Sequence, residues 1–421
     1  MSSAEPDRNG ADVVVIGGGI IGLAIASCLR QRGRSVLLLD RKGIALEASY
    51  GNAGAFAFSD VMPLASPGIM RKAPRWLLDP LGPLAIPPRY LPRIAPWLFR
   101  FWRASRPDRV RRSVLAQVAM MRLAEQEMSA LVERYGLASM VRADGALELY
   151  ESEDEWQAAL PGWELRAAHG IAFRHLRGGE IAALQPGLSP HIRVATFVPG
   201  WKTVTDPHLF ARAMASRLQE HGLIFRQAEV RTVRPDGDAR VSVHLADGTK
   251  LAASRAVIAC GAWSRPLALA LGDRIPLETE RGYNTTLPPG AFDLRRQLTF
   301  GAHGFVVTPI GGGVRVGGAV ELGGLSAPPN HARSQALLDK AATFLPQLRT
   351  TGGTPWMGFR PSLPDSLPVI GPSRASPHIL YAFGHGHLGL TQSAATGRLV
   401  ADLLTGQELP LDPAPFRPGR F

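Results

Sequence analysis

The chain contains 421 residues, of which 45% are hydrophobic and 19% charged, and 47 Lys and Arg against 35 Asp and Glu give a formal net charge of +12. This composition excludes a disordered chain, and the length predicts two joined domains rather than one small core. The only two cysteines, Cys28 and Cys260, exclude a disulfide framework and a cysteine-rich zinc site, so we predict no metal and a reducing, intracellular compartment.

The apolar run VVVIGGGIIGLAIASCL, residues 13–29, is the first candidate element. The segment before it is not basic, and four glycines interrupt it, which is unlike a signal peptide. The run is also short for a bilayer span. We therefore expect no cleaved signal, no transmembrane segment and a cytoplasmic location.

The same run opens a compact βαβ unit. We predict a buried parallel strand at Asp12–Ile16, because Val13–Ile16 are all apolar and β-branched. A glycine-rich turn follows, then a helix to about Arg32, and a second strand is predicted at Ser35–Leu39.

Gly17, Gly19 and Gly22 form the pattern G-x-G-x-x-G where the first strand passes into the helix. Gly17 permits a tight turn, Gly19 lets the backbone approach a pyrophosphate, and Gly22 lets the helix pack closely on the strand. The helix N-terminus then faces the phosphates. Asp40 ends the second strand, where an acid accepts hydrogen bonds from a ribose. Together these residues predict a dinucleotide site.

Glycine loops recur at Gly261 and at Gly384–Gly389. An extended cofactor that touches several segments needs such close approaches, which favours FAD over NAD. Between and around these loops the sequence predicts a long helix from about Arg112 to Tyr135, a hairpin turning at Asp247-Gly248, a strand-rich region from Ile275 to Val320 and a helix at Arg333–Phe344.

Residues 71–112 carry most of the excess positive charge, with eleven Lys or Arg against two acids. Aromatic residues, among them Trp97 and Trp102, are interleaved with these charges. No recognition motif accompanies them, so we predict no nucleic-acid partner. Three interpretations stay open: a peripheral contact with an anionic membrane, a subunit contact, and a helical segment with a solvated basic face.

The segment GFRPSLPDSLPVIG, residues 358–371, places Arg360 among prolines and apolar residues. A guanidinium keeps its charge and is costly to bury without a partner. One candidate partner is an internal acid, Asp365; the other is an anionic ligand such as a carboxylate, which a guanidinium binds through two hydrogen bonds. The prolines predict a stiff loop that holds the guanidinium still.

Several segments along the chain resemble motifs of the D-amino-acid oxidase family of FAD-dependent oxidoreductases, and most closely its bacterial D-amino-acid dehydrogenase branch. They are EASYGNAG (47–54), ACGAWS (259–264), RGYN (281–284), VTPIGGGVRVGGAVEL (307–322), GFRPSLPDSLPVIGP (358–372) and GHGHLGLTQSAATGRLVADLLTG (384–406). With the glycine pattern, the resemblance extends from Asp12 to Gly406.

The resemblance implies an α/β fold with a discontinuous, Rossmann-like FAD-binding domain and an inserted mixed-sheet α+β substrate-binding domain. We expect the first domain at residues 10–60, 200–270 and 350–412, and the second at 61–199 and 271–349. No cysteine or histidine stands where the family's pattern would place a covalent flavin link, so FAD is expected to be held noncovalently.

The resemblance also implies the site residues. Arg360 is expected to bind the substrate carboxylate, Tyr283 either to donate a second hydrogen bond to it or to serve as a sheet tyrosine, and His387 to lie in a loop beside the flavin. The implied cofactor-binding residues are Gly17, Gly19, Ile20, Ile21, Gly22, Asp40, Arg41, Ala48, Ser49, Asn52, Ala53, Gly54, Val230, Cys260, Gly261, Trp263, Gly358, Arg360, Gly386, His387, Leu388, Gly389, Leu390 and Thr391.

The implied reaction is the oxidation of a D-amino acid or a cyclic imino acid. A hydride leaves Cα for the flavin, the resulting imine hydrolyses to a 2-oxo acid, and the electrons pass to a quinone or another electron-transfer partner. Two alternatives stay open: an oxygen-using oxidase of the glycine or sarcosine type, and a flavin subunit of a hetero-oligomeric proline or hydroxyproline dehydrogenase.

Overall fold

The structure is a computed structural model that describes residues 11–66, 82 and 84–421. Two large sheets organise these residues. The first has six strands, in the spatial order β10 (Ile224–Gln227), β2 (Val36–Asp40), β1 (Val13–Ile16), β14 (Arg255–Ile258), β21 (Ile379–Phe383) and β20 (Val369–Pro372).

The predicted βαβ unit is present in this first sheet. Strands β1 and β2 are parallel, with Val13 paired to Val36, and α1 (Ile20–Gln31) connects them. The remaining pairs are parallel except β20 with β21. Because the sheet is packed on both faces, its strands are continuous apolar runs.

The second sheet has nine strands. Eight lie in the spatial order β19 (Thr354–Ser362), β15 (Glu278–Leu287), β18 (Gly313–Glu321), β17 (Phe305–Ile310), β16 (Gln297–Phe300), β6 (Ala146–Tyr150), β8 (Val194–Val198) and β7 (Arg174–Arg177), and β4 (Leu84–Ala85) pairs with β18. Smaller sheets contain β3 (Ala55–Phe56), β5 (Val141–Arg142), β9 (Lys202–Val204), β11 (Val230–Asp236), β12 (Arg240–Leu245) and β13 (Lys250–Ala253).

The two faces of the second sheet differ because side chains alternate along a strand. One face carries an apolar core with Tyr283, Val307 and Val316, which packs against α8 (Ala332–Phe344). On the opposite face, Asn284 and Val306 line a large cavity.

The other helices are α2 (Leu91–Ala104), α3 (Pro107–Arg134), α4 (Glu153–Ala168), α5 (Gly179–Leu184), α6 (Pro207–Glu220), α7 (Ser264–Ala270) and α9 (Gly389–Thr405). The long helix α3 begins earlier than its predicted start at Arg112, because Pro107 occupies the first helical position after an extended residue. None of the described helices combines the length and apolar character that a membrane span requires.

The segment around Arg360 is a strand, so the predicted stiff loop was wrong. Strand β19 pairs with β15 in antiparallel register from Thr354, opposite Thr286, to Ser362, opposite Glu278. This strand lies at the end of the sheet order. An edge strand tolerates proline, because a missing N–H on its outer side removes no hydrogen bond from the sheet.

The division into two domains stays a prediction. Every strand of the six-stranded sheet falls within the segments predicted for the FAD-binding domain. Strand β19 also falls within such a segment, 350–412, but it belongs to the nine-stranded sheet. The chain therefore crosses from one sheet to the other between Ser362 and Val369.

Helix α9 packs on α1 at very short range. A Cβ atom added to Gly397 would lie 2.5 Å from the backbone oxygen of Ala24. Gly162 in α4 provides a contrast, since a Cβ there would meet only the end of the flexible Arg166 side chain, at 3.4 Å.

We predict opposite effects of alanine at these two helical glycines. Gly397→Ala should lower the free energy of unfolding by about 1–3 kcal/mol, because the two helices must separate. Gly162→Ala should leave it unchanged or raise it by up to about 1 kcal/mol, since alanine favours helix. Urea unfolding of both variants followed by circular dichroism measures this, and equal effects would contradict the close packing of α1 and α9.

Candidate active site

A cavity of about 920 Å³ connects the glycine turn with the nine-stranded sheet. Its lining includes Gly17, Asp40 and Cys260 from the first sheet and Arg360 and His387 from the region of the second. The volume lies at the upper end of the range for ligand sites, as a long cofactor together with a small substrate requires.

The glycine turn has the geometry that the pattern predicts. Gly17 has φ +114, and a Cβ on it would lie 2.3 Å from the oxygen of Ala259. A Cβ on Gly22 would lie 1.9 Å from the oxygen of Gly17, so Gly22 provides helix packing. Gly19 is less crowded, with only the Ser49 hydroxyl 3.3 Å from an added Cβ, and it lines the cavity.

Asp40 is held in place by three backbone N–H groups. Gly18 and Lys42 donate to it at 2.8 Å and Gly43 at 3.0 Å. An ionised carboxylate has about four acceptor positions, so one remains for a ribose hydroxyl. Its predicted role is therefore compatible with these contacts and stays a prediction.

The loop 48–54 is attached to the nine-stranded sheet by polar contacts. Asn284 donates to the oxygen of Gly51 at 2.6 Å, and Arg315 donates to the oxygen of Asn52 at 2.6 Å. Burial lowers the pKa of Arg315. The Asn52 side chain accepts from Gly54 N at 2.7 Å. Contacts within the protein therefore hold this cavity wall in shape.

Arg360 lies directly on the backbone of the neighbouring strand. A Cβ on Gly282 would lie 2.4 Å from its Nη2 and 2.5 Å from its Cζ. Nη1 donates to the oxygen of Ala319 at 3.1 Å, and Arg360 forms no ion pair with any described residue. Burial lowers the pKa of Arg360, and the negative charge of Glu280 opposes this effect. The guanidinium thus keeps donors for a ligand.

Asp365 is not the partner of Arg360. Its carboxylate accepts two hydrogen bonds from Arg420, at 2.7 and 3.1 Å. Arg420 comes from the last turn of the chain, which the local spacing of Arg360 and Asp365 could not reveal. The pairing of Arg360 with Asp365 is therefore excluded.

Tyr283 has the position of a sheet tyrosine. Its ring lies in the core on the α8 side, its hydroxyl donates to the Glu321 carboxylate, and it accepts from Asn330 N at 3.2 Å. Arg281 pairs with the same carboxylate at 3.1 Å. A hydrogen bond from Tyr283 to a ligand on Arg360 would require these contacts to break, because Arg360 extends over the opposite face.

The histidines of the loop before α9 differ in environment. His387 lines the cavity, and its Nε2 lies 3.1 Å from Oδ2 of Asp60. Burial of Asp60 acts to raise its pKa, but the hydrogen bond and charge of His387, with the charge of Arg166, leave that pKa lowered. Burial lowers the pKa of His385 to about 3, so this ring stays neutral, 2.9 Å from the Thr396 hydroxyl.

The cavity brings together most of the predicted site residues. Those that line it are Gly17, Gly19, Ile20, Ile21, Asp40, Arg41, Ala48, Ser49, Asn52, Ala53, Val230, Cys260, Gly261, Trp263, Tyr283, Gly358, Arg360, Gly386, His387, Leu388, Gly389, Leu390 and Thr391. Gly22 and Gly54 do not line it: Gly22 packs on Gly17, and Gly54 packs on Ile310 and Val204.

Sequence reasoning missed other lining residues, notably Asp60, Trp201, Glu280, Ala319 and Trp356. Asp60 and Trp201 lie outside the recognised motifs, so no local signal marks them. Glu280 immediately precedes the RGYN motif, and that position was the only available clue.

The glycine turn at α1, the carboxylate at the end of β2 and the half-buried Arg360 line one cavity, and the first two are the features of a dinucleotide-binding protein. Comparison with known proteins specifies it further. The family model for DAO, FAD dependent oxidoreductase, matches residues 12–403. The chain belongs to this family, and FAD is its cofactor.

Individual relatives cover nearly the whole chain. It is 36% identical over 419 residues to a D-amino-acid oxidase of Bradyrhizobium diazoefficiens, covering 98% of this chain and 99% of the relative. It is 32% identical over 420 residues to a D-amino acid dehydrogenase of Sinorhizobium medicae, covering 97% and 99%. Glycine oxidase from Geobacillus kaustophilus has a similar fold, with a TM-score of 0.79, 23% identity and coverage of 98% and 100%.

We predict that FAD is held without a covalent bond. Burial raises the pKa of Cys28 and of Cys260 to about 12, so neither thiol is ionised near neutral pH, and His385 is occupied by Thr396. Acid precipitation should therefore release the flavin, measured as its absorbance in the supernatant. Yellow colour that stays with the precipitate would contradict the prediction.

Proposed function

We propose that this protein oxidises a D-amino acid or a cyclic imino acid to an imine, which hydrolyses to a 2-oxo acid. The observation that carries the proposal is Arg360, a half-buried guanidinium in the cavity with one protein hydrogen bond and no ion pair among the described residues. A substrate carboxylate would compensate this charge through two parallel hydrogen bonds. The names of the relatives support the amino-acid class.

The chain's own residues would hold the reactants in a fixed orientation. Gly17 and Gly19 at the start of α1 would hold the pyrophosphate of FAD, and the loop 48–54 with residues 386–391 would line the rest of the cofactor. When bound, FAD supplies the acceptor for a hydride and its two electrons. Arg360, fixed on Gly282, would keep the substrate's Cα in one position, as a reaction that depends on orientation requires.

The electron acceptor we propose is a quinone or an electron-transfer partner, in keeping with relatives named D-amino acid dehydrogenase. A second candidate is an oxidase that uses oxygen, and the relative at 36% identity, named D-amino-acid oxidase, favours it. A screen of D-amino and imino acids, with an artificial acceptor or with oxygen, tests both. Hydrogen peroxide from the purified chain would support the oxidase, and activity only with added subunits would support a subunit of a larger dehydrogenase.

Arg360→Ala should leave FAD bound but lower kcat/KM for the best substrate about a hundredfold, because a charge-assisted pair of hydrogen bonds contributes about 3 kcal/mol. Arg360→Lys should not restore activity fully, since an ammonium group cannot donate two parallel hydrogen bonds to one carboxylate. Gly282→Ala should have a similar effect, because the new methyl group displaces the guanidinium. Steady-state kinetics and flavin absorbance measure these effects.

Arg374→Ala is the matched control for the loss of an arginine. Its side chain is 75% exposed and pairs with Asp273 outside the cavity, so kcat/KM should stay near the wild-type value. Near-normal kcat/KM in Arg360→Ala would mean that the substrate carboxylate binds elsewhere.

We also propose that the basic segment 71–112 makes a peripheral contact with the anionic cytoplasmic membrane, where a quinone would collect electrons. Arg71, Lys72 and Arg75 lie outside the described residues, so the argument rests on α2 and its flanks. Helix α2 buries Ile94 and Trp97.

The outer side of α2 is apolar as well. At about 100° per residue, Leu91, Phe99 and Trp102 fall on one side of the helix, away from its buried side. They are 44%, 56% and 43% exposed. Arg103 and Arg106 are exposed beside this stripe, with the Cζ of Arg103 6.0 Å from the centre of the Phe99 ring and that of Arg106 5.5 Å from the centre of the Trp102 ring. An exposed apolar stripe flanked by arginines matches a lipid surface with anionic headgroups.

The protein should therefore co-sediment with vesicles that contain anionic lipid and not with neutral vesicles. Phe99→Ser/Trp102→Ser should abolish binding, and Arg103→Glu/Arg106→Glu should weaken it, since each arginine contributes about 1 kcal/mol. High salt should weaken the wild-type interaction by screening.

Leu209→Ser is the control, because Leu209 is 52% exposed on α6 and lies outside the basic segment. If the protein binds neither vesicle type at low salt, the membrane contact is contradicted, and the basic segment is instead a solvated face or a subunit contact.

A further inference from the structure

Glu280 faces the same cavity as Arg360 and has no assigned role. It lies on β15 directly opposite Arg360 of β19. Cross-strand neighbours of this kind project to the same face, with Cβ atoms about 5 Å apart. Both residues line the cavity, and Glu280 is only 5% exposed.

The Glu280 carboxylate is held in orientation by a hydrogen bond, but no cation of the described residues pairs with it. Ser362 donates its hydroxyl to Oε1 at 2.5 Å. Among the described residues, Glu280 forms no ion pair, and Oε2 accepts no hydrogen bond. A buried carboxylate with a free oxygen is costly unless a donor or cation meets it.

Arg360 does not serve as that cation. Its guanidinium leans along β15 onto Gly282, and Nη1 donates to Ala319. The charges of Arg360 and Glu280 act on each other without contact. The cavity wall therefore carries a positive and a negative group side by side, with unused donors on Arg360 and an unused acceptor oxygen on Glu280. A zwitterionic ligand fits this pair of charges better than a ligand that carries only a carboxylate.

Other acids nearby are already occupied. Glu278 accepts from the Tyr90 hydroxyl at 3.1 Å with both oxygens and does not line the cavity. Asp60 contacts His387, and Glu321 pairs with Arg281 on the opposite face of the sheet. Of the acids around Arg360, Glu280 is the one that lines the cavity and forms no ion pair with any described residue.

We propose that Glu280 receives the α-ammonium group of the amino acid whose carboxylate Arg360 holds, and accepts a proton from it before oxidation. An N–H bond of the ammonium breaks, its electron pair stays on nitrogen, and the proton forms an O–H bond at Oε2 of Glu280. The neutral amine can then stabilise the developing positive charge as the hydride leaves Cα. This inference rests on the proposed function and assigns Glu280 as a catalytic residue in it.

Glu280→Gln separates this role from a structural one through two ligands. Propionate, which has a carboxylate but no amine, should bind the FAD-loaded variant as tightly as wild type or several-fold more tightly, because a nearby negative charge is removed. D-Alanine, or the best D-amino acid from the screen, should show a KM at least tenfold higher. Calorimetry measures the Kd of propionate, and steady-state kinetics measures the KM.

The pH profile provides a second readout. The variant should turn over only the amino acid that is already deprotonated, so its kcat/KM should fall about tenfold per pH unit below the pKa of the substrate amine. Wild-type kcat/KM should fall less steeply over the same range, since Glu280 takes the proton from the bound zwitterion.

Glu278→Gln is the matched control, a buried glutamate two positions away that does not line the cavity, and it should change neither ligand's binding nor the pH profile. Weaker binding of propionate and the amino acid alike, or identical pH profiles in wild type and Glu280→Gln, would overturn the role of Glu280. Failure of the proposed function has a different signature: Arg360→Ala would then still bind propionate.

Discussion

The guanidinium of Arg360 rests on the backbone of β15 at Gly282, and the arrangement of the cavity depends on this close approach. A side chain at position 282 would overlap the guanidinium, as the 2.4 Å distance from an added Cβ to Nη2 demonstrates. The register of β15 with β19 brings Gly282 opposite Gly358, next to the pair of Glu280 and Arg360. Since a slip of one residue would invert both faces, the paired strands specify the site as strictly as they specify the core.

The alternation of β15 separates two sets of polar side chains. Even-numbered positions, including Glu280 and Gly282, face the cavity, where charges remain available to a ligand. Odd-numbered positions, Arg281 and Tyr283, face the α8 side, where they share the carboxylate of Glu321. Arg281 is 0% exposed, and removing one partner of such a buried network is strongly destabilising. One strand thus carries a structural network on one face and cavity-lining groups on the other.

Helix α2, for which we propose a peripheral membrane contact, is connected to β15 by a hydrogen bond. Tyr90, directly before α2, donates its hydroxyl to Glu278 at the start of β15, and burial together with the charge of Glu278 raises the pKa of Tyr90 to about 12. Tyr90 therefore stays protonated and keeps donating at physiological pH. A surface that contacts lipid would in this way be anchored two residues from Glu280, close to the cavity that we propose as the site of oxidation.

The sequence by itself determined the βαβ unit and the glycine turn, because these depend on local patterns. The family resemblance of its motifs implied the site residues, and most of those predicted residues line the cavity. Gly17 and Gly22 could be assigned their roles since a turn from strand to helix imposes the same geometry wherever it occurs. The strand-rich region and the hairpin at Asp247-Gly248 were likewise predictable from alternation and turn chemistry.

The tertiary structure alone decided which charges meet. Asp365 is five residues from Arg360 but pairs with Arg420 at the end of the chain, whereas Glu280, 80 residues away, lies beside Arg360 through strand pairing. Prolines around Arg360 indicated a loop, yet the edge of a sheet accepts them in a strand. Asp60 and His387 come together because the start of α9 packs against the segment that leads to Asp60, where Ala57 N donates to the Thr391 hydroxyl. Long-range pairing of this kind follows from strand register and helix packing, which no local run of residues encodes.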